Sequence, residues 1–149
     1  VDGLLASLRA RGDRGNSIAG EVALPLLQGM TAFARGDHAE TVRLIEPIED
    51  RIHLVGGSKA QREVFHDTLL EALLHAGRYD AAERRLRERL ARRPSPRDFY
   101  RLGRARAQAG ATAAAAEALA HAVTDWRGAD DTAPEVAAAH RLYASLAAC

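Results

Sequence analysis

An all-α fold is what this sequence predicts, an α-solenoid of about three helical hairpins followed by a C-terminal capping helix. Three observations predict it. Apolar residues recur at three- and four-residue steps and nowhere alternate over a strand's length. Gly77-Arg78-Tyr79-Asp80-Ala81-Ala82, followed by Leu86 and Pro94, sets a helix-ending glycine, an aromatic and a small alanine at the offsets of two close-packed antiparallel helices. The spacing then recurs: Gly110, Ala115, Leu119 and Ala122 repeat it 33 residues on, with Leu102-Gly103 in the place of Leu69-Leu70.

Each element has its own warrant. Asp2 is expected to cap a short helix over 3–9, and Arg11-Gly12-Asp13-Arg14-Gly15-Asn16 reads as a turn or linker, so that 1–16 is a terminal helix and linker. Ser17 opens the first, irregular repeat, 17–53. Its first helix carries Ile18, Val22, Leu26, Met30 and Phe33 to Gly36, with a kink or break at Pro25, which has no backbone N–H to donate. Asp37 with Glu40 starts its second helix, whose Val42, Ile45 and Ile48 face inward and whose Pro47 predicts a bend. Gly36 and Gly77 are 41 residues apart, so this repeat is the longer one, with the excess near His53-Leu54-Val55-Gly56-Gly57. Repeat 2 spans 58–94. Ser58 and Gln61 form a reciprocal cap for a helix over 59–76 with Val64, Leu69, Leu70, Leu73 and Leu74 as its apolar band, and Asp80 with Glu83 starts a partner helix with Ala82, Leu86 and Leu90 inward. Repeat 3 spans 95–127. Ser95 caps, Pro96 takes the first helical position, Asp98 lies in the first turn, and Phe99, Leu102 and Ala105 point inward, before a second helix over 112–126. Thr132 with Glu135 caps a last helix within 132–148 that bears Val136, Leu142, Tyr143 and Leu146 and covers the end of the array; the whole of 1–149 reads as one domain.

Composition bounds the function. At 47% hydrophobic and 28% charged the chain is a globular one, and no apolar run reaches the roughly 20 residues that span a bilayer, so no membrane partner is expected. Residue 1 is Val, and the first ten residues lack the layout of a signal peptide; the chain reads as a piece of a longer polypeptide without a visible address, with cytoplasmic localisation as the default. The single Cys149 makes no internal bridge and no thiolate metal site by itself. A net charge of +1 exerts no bulk pull on polyanions, and with Lys59 as the one lysine, cationic roles fall to arginine.

No constellation for turnover stands out. Gly56-Gly57-Ser58-Lys59 ahead of a helix has the parts of an anion cradle, but the spacing of a phosphate loop and the preceding strand are missing, so it reads as a capping turn. Asp67, Glu71 and His75 fall at i, i+4 steps with His66 near, an arrangement that a cation would use. With no H-E-x-x-H or cysteine to anchor it, a solvated polar stripe is the better reading, and neither a metal nor a cofactor is assigned. There is no G-x-S-x-G, and catalytic residues are expected to be none. The largest charge feature is a run of arginines at 84, 85, 87, 89, 92, 93, 97, 101, 104 and 106 that meets only Glu88 and Asp98. A nucleic-acid surface would add stacking aromatics, and only Phe99 and Tyr100 are close; the preferred reading is a helix surface whose charges answer Asp125, Asp130, Asp131 and Glu135.

The Gly-to-Pro spacing over 23–123 resembles the tetratricopeptide repeat family, best in repeats 2 and 3; repeat 1 departs, with Thr41 for the small alanine and Pro25 for the first large residue. Gly56-Gly57-Ser58-Lys59-Ala60-Gln61-Arg62-Glu63-Val64-Phe65, with Ala32-Phe33-Ala34-Arg35-Gly36-Asp37 and Leu44-Ile45-Glu46-Pro47, is similar to the C-terminal region of the tetratricopeptide repeat protein 38 family. The resemblance implies a right-handed α-solenoid whose first helices line a concave groove. It further implies that Asp67, Glu71, Leu74 and His75 in repeat 2 and Arg97, Tyr100, Arg104 and Gln108 in repeat 3 are its partner-binding residues. The expected function is a non-catalytic scaffold that binds a peptide or protein segment, or another part of its own longer chain, with Arg97 and Arg104 holding a carboxylate and Tyr100 as the wall between them. The alternatives are a helical accessory domain of a larger enzyme and an anionic-ligand or RNA surface built on the arginines.

Overall fold

The computed structural model describes residues 1–128 and 133–147; among them there is helix and turn and no strand, and no helix is long and apolar enough to cross a membrane. The chain divides into two compact units, Val1–Ala76 and Gly77–Cys149.

In the first unit, α1 (Asp2–Asp13) runs four residues beyond the expected stop and has no side-chain cap from Asp2. Gly12 is the reason: it does not break the helix but lets it lie against the next one. A Cβ on Gly12 would stand 2.9 Å from the Cα of Gly20. The expected linker is therefore helix to Asp13 and a two-residue turn, closed by bonds from the Gly15 and Asn16 amides to the carbonyls of Gly12 and Arg11. Helix opens at Ser17 as expected, and Asn16 supplies the cap: the Ala19 amide donates to its Oδ1 at 3.0 Å.

Helix α2 (Leu24–Ala34) is preceded without interruption by a π-helical segment, Ala19–Ala23. Pro25 cannot donate to Glu21, and the widened turn ahead of it, in which the Leu24 amide bonds Ala19, is how the ladder accommodates that loss. Gly36 ends the helix at φ +78°, a backbone region costly for any side chain with a Cβ; its amide bonds Phe33 and the Asp37 amide bonds Ala32.

Helix α3 (His38–Ile45) starts as expected, the Glu40 amide donating to Asp37 Oδ1 at 3.0 Å, and buries Val42 and Ile45. Pro47 then begins a 3₁₀ stretch, Glu46–Val55, that buries Ile48 and Ile52 and holds the extra length of this repeat. Helix α4 (Lys59–His75) opens on a complete capping box: the Gln61 amide donates to Ser58 Oγ at 3.2 Å and the Ser58 amide to Gln61 Oε1 at 2.7 Å. Leu69, Leu70, Leu73 and Leu74 are core residues, but Val64, expected beside them, is 56% exposed.

The second unit comprises α5 (Tyr79–Arg92), α6 (Pro96–Gln108), α7 (Thr112–Asp125) and α8 (Pro134–Ala147). The short connections at 93–95 and 109–111 make α5, α6 and α7 successive antiparallel neighbours, with α6 packed on both others and α8 packed on α7. Asp80 does not cap α5; the flanking residue is Arg78, without a side-chain bond, and Asp80 sits in the first turn. Ser95 is the N-cap of α6 and Pro96 its first residue, but the Ser95 side chain makes no capping bond. Ala82, Leu86, Leu102, Ala105, Ala115, Leu119 and Ala122 form the core, while Leu90 and Phe99, expected inside, are half-buried. Val136 is buried on α8 and Leu142, Tyr143 and Leu146 are half-buried; the capping role given to Thr132 and the positions of Asp130, Asp131 and Cys149 lie outside the described residues.

Two hairpins, one in each unit, are built alike. Gly103, Gly110 and Leu119 stand 74 residues after Gly29, Gly36 and Ile45. A Cβ on Gly29 would meet Ile45 Cγ1 at 2.4 Å, and one on Gly103 would meet Leu119 Cγ at 2.5 Å. In both, a large aliphatic side chain of the second helix presses onto bare backbone of the first. At the expected small-residue position the first hairpin has Thr41, fully buried, whose hydroxyl donates to the Asp37 carbonyl at 2.8 Å and lies 3.3 Å from the carbonyl of Gly29. That bonding is what lets a polar residue occupy the site.

Candidate partner-binding face

Steps of three and four residues bring Arg97, Tyr100, Arg104 and Gln108 to one face of α6. Arg97 and Gln108 are exposed, Tyr100 and Arg104 half-buried. The guanidinium carbon of Arg104 lies 5.6 Å from the centroid of the Tyr100 ring, a cation–π contact. Trp126, the chain's one tryptophan, lies just past α7 with its ring 6.1 Å from that of Tyr100 and tilted by 53°. The face thus has an aromatic wall of two rings with a cation on it. The spacing along α6 signals Tyr100 at this position, whereas Trp126 reads from the sequence only as a helix end.

Arg97 is not bare. Its Nε donates to Glu135 Oε2 of α8 at 2.8 Å, with the two side chains 55% and 42% exposed. Exposed pairs of this kind contribute about 0–1 kcal/mol, so a ligand carboxylate can replace Glu135 at little cost. Glu135 was one of the acids expected to answer the arginines.

The rest of the arginine run is largely engaged within its own unit. Asp98, expected in the first turn of α6 to meet the helix dipole, is buried and accepts from Arg89 Nε at 3.0 Å and Arg101 Nη1 at 3.4 Å. Arg106 donates to Glu83 Oε1 from Nε and Nη2 and to the Ala114 carbonyl from Nη1. Arg85 and Arg92 bond the carbonyls of Ala81 and Glu88. Glu83 meets Arg106 from 23 residues away and Asp98 meets Arg89 from nine residues away, both on a neighbouring helix, and Asp98 also meets Arg101 on its own helix; the cross-helix pairs leave no local signal in the sequence.

In the first unit, Asp67, Glu71 and His75 form a strip along α4, the two carboxylates half-buried and His75 exposed. Leu74, which the family resemblance implies on the same open face, is 2% exposed and belongs instead to the core, with the apolar band in which its spacing sets it. The buried arc of α4 runs from Thr68 round to Leu74, wider than a single stripe, and leaves only that narrow strip outside. The His75 ring stacks on His38 at 4.5 Å, and Phe33 meets His38 edge-on at 5.3 Å. His66, once grouped with the strip, has Nδ1 3.6 Å from Glu49 Oε1 instead. Among the described residues no three His, Cys, Asp or Glu side chains come together as a metal site.

The Gly56-Gly57-Ser58-Lys59 turn presents the wrong groups to an anion. Arg62 donates to the carbonyls of Gly56 and Gly57, and the Ser58 amide is taken by Gln61. A cradle needs free amides pointing inward.

No protein-family model matches this chain, and no solved structure matches it significantly.

Proposed function

We propose that this chain is a non-catalytic interaction module, built from helical-repeat hairpins of the tetratricopeptide type, that binds a peptide or protein segment on the α6 face. The observation that carries the reading is the grouping of Arg97, Tyr100 and Arg104 with Trp126: two cations set along an aromatic wall, on a rigid helix, with one cation held only by an exposed ion pair. Such a face suits a segment with a carboxylate and an apolar neighbour. The carboxylate displaces Glu135 from Arg97, and the apolar group packs on Tyr100 and Trp126. The repeated fit of glycine against Ile45 and Leu119 supports the repeat reading, because it gives two hairpins the same internal geometry at corresponding positions. The pairing of Arg89, Arg101 and Arg106 with internal acids favours a protein partner over a polyanion, since those charges are already neutralised. Affinity capture with the intact chain, followed by identification of the bound species, tests the reading when run beside the double variant Arg97→Ala, Arg104→Ala. The variant is expected to lose the principal captured protein; equal capture would show that the face is not the binding surface.

A further inference from the structure

The opposite side of α6 carries a second feature. At 100° per residue, Phe99, Leu102 and Arg106 point away from Arg97, Tyr100 and Arg104. They form the floor of a cleft of about 260 Å³ whose walls are α5 and α7, which both pack on α6 but scarcely on each other. Leu90 from α5 and Ala118 from α7 complete the apolar lining, and His121, also lining the cleft, stacks on Phe99 with ring centroids 4.7 Å apart. The volume is below the roughly 300–1,000 Å³ of small-molecule sites and fits a protein side chain or two.

The rims carry opposite charges. Arg87 on α5 and Glu117 on α7 are both exposed, both line the cleft, and neither has a hydrogen bond or ion pair among the described residues. Their contrast is with Arg106 below, already held by Glu83 and the Ala114 carbonyl. An unpaired cation on one wall and an unpaired anion on the other fix both the partner's charge pattern and its orientation, because the reversed orientation sets like charges together.

We propose that this cleft docks a helix of a partner protein, an aliphatic or aromatic side chain seated between Leu90 and Ala118, with an acidic residue toward Arg87 and a basic one toward Glu117. A helix is the matching shape because the cleft is walled by two helices, α5 and α7, each packed on α6. This site is separate from the α6 face described above and does not depend on it.

The test is selection of a phage-displayed library of amphipathic helical peptides on the intact immobilised chain, followed by fluorescence polarisation with the enriched peptides. The enriched sequences are expected to share one bulky apolar residue flanked by an acid and a base. Arg87→Glu and Glu117→Lys, both surface changes, are each expected to weaken binding about tenfold. The double reversal Arg87→Glu, Glu117→Lys is expected to regain affinity for peptides with their two charges exchanged, a gain that misfolding cannot produce. The proposal is overturned if no helical peptide enriches, if enriched peptides bind the double reversal as well as the wild type, or if they are lost only on Arg97→Ala, Arg104→Ala.

Discussion

Asp98 sits nearly out of reach of water with the guanidinium groups of Arg89 and Arg101 on its two oxygens, and Arg101 is itself buried. Taking one member from such a set leaves charge in a low-dielectric place, which costs about 3–5 kcal/mol. Asp98→Asn is therefore expected to lower the unfolding free energy measured in urea by that order, and an unchanged value would mean that the arginines find other acids. At the surface the stakes are smaller. Arg43 donates to both carboxylate oxygens of Glu40, and these hydrogen bonds, reinforced by the guanidinium charge and opposed by slight desolvation, hold Glu40 below the usual glutamate range. A carboxylate with a lowered folded-state value contributes stability above the ordinary glutamate range and loses it as pH falls through the folded value. Carboxyl titration by NMR should find Glu40 below the usual glutamate range, and Arg43→Gln should raise it back toward that range. A Glu40 midpoint that ignores Arg43→Gln would remove the pair as the cause.

Where two helices of a hairpin cross, the decisive residue is the one without a side chain. Leu119 is fully buried, and a methyl on Gly103 would stand 2.5 Å from its Cγ and 3.3 Å from the Ala115 carbonyl. Gly103→Ala is expected to cost about 1–3 kcal/mol in chemical denaturation despite the better helix propensity of alanine. In a Leu119→Ala background the same change should become neutral or stabilising; a penalty that persists there would place its cause elsewhere. Much of this level was legible in the sequence. The turn glycines, the Ser58–Gln61 box, the Asp37 cap and the inward Val42, Ile45, Leu86 and Leu119 all depend on local spacing, which a sequence carries openly. What was hidden depends on a second element. Gly12 and Gly29 look like breakers or bystanders until another helix lies on them, and Asp98 looks like a dipole acid until Arg89 reaches it.

For the molecule as a whole, a net charge of +1 conceals an arginine-rich second unit, in which Arg89, Arg97, Arg101 and Arg106 meet acids of that same unit. What remains for other molecules is a helix, α6, with an aromatic and cationic face on one side and a cleft with opposed charges on the other. The candidate face was legible as far as Arg97, Tyr100, Arg104 and Gln108, which one helix spaces; Glu135, on α8, was legible only as one of several acids for the arginines, and Trp126, just past α7, gave no local signal. The claim that function resides on this face is tested most directly by photo-crosslinking, with p-benzoylphenylalanine placed at position 108 in the intact protein, since Gln108 is exposed at the end of the face. One discrete protein adduct is expected, and it should disappear when Arg97→Ala and Arg104→Ala are added; no adduct, or one indifferent to those changes, would contradict a binding role for this face.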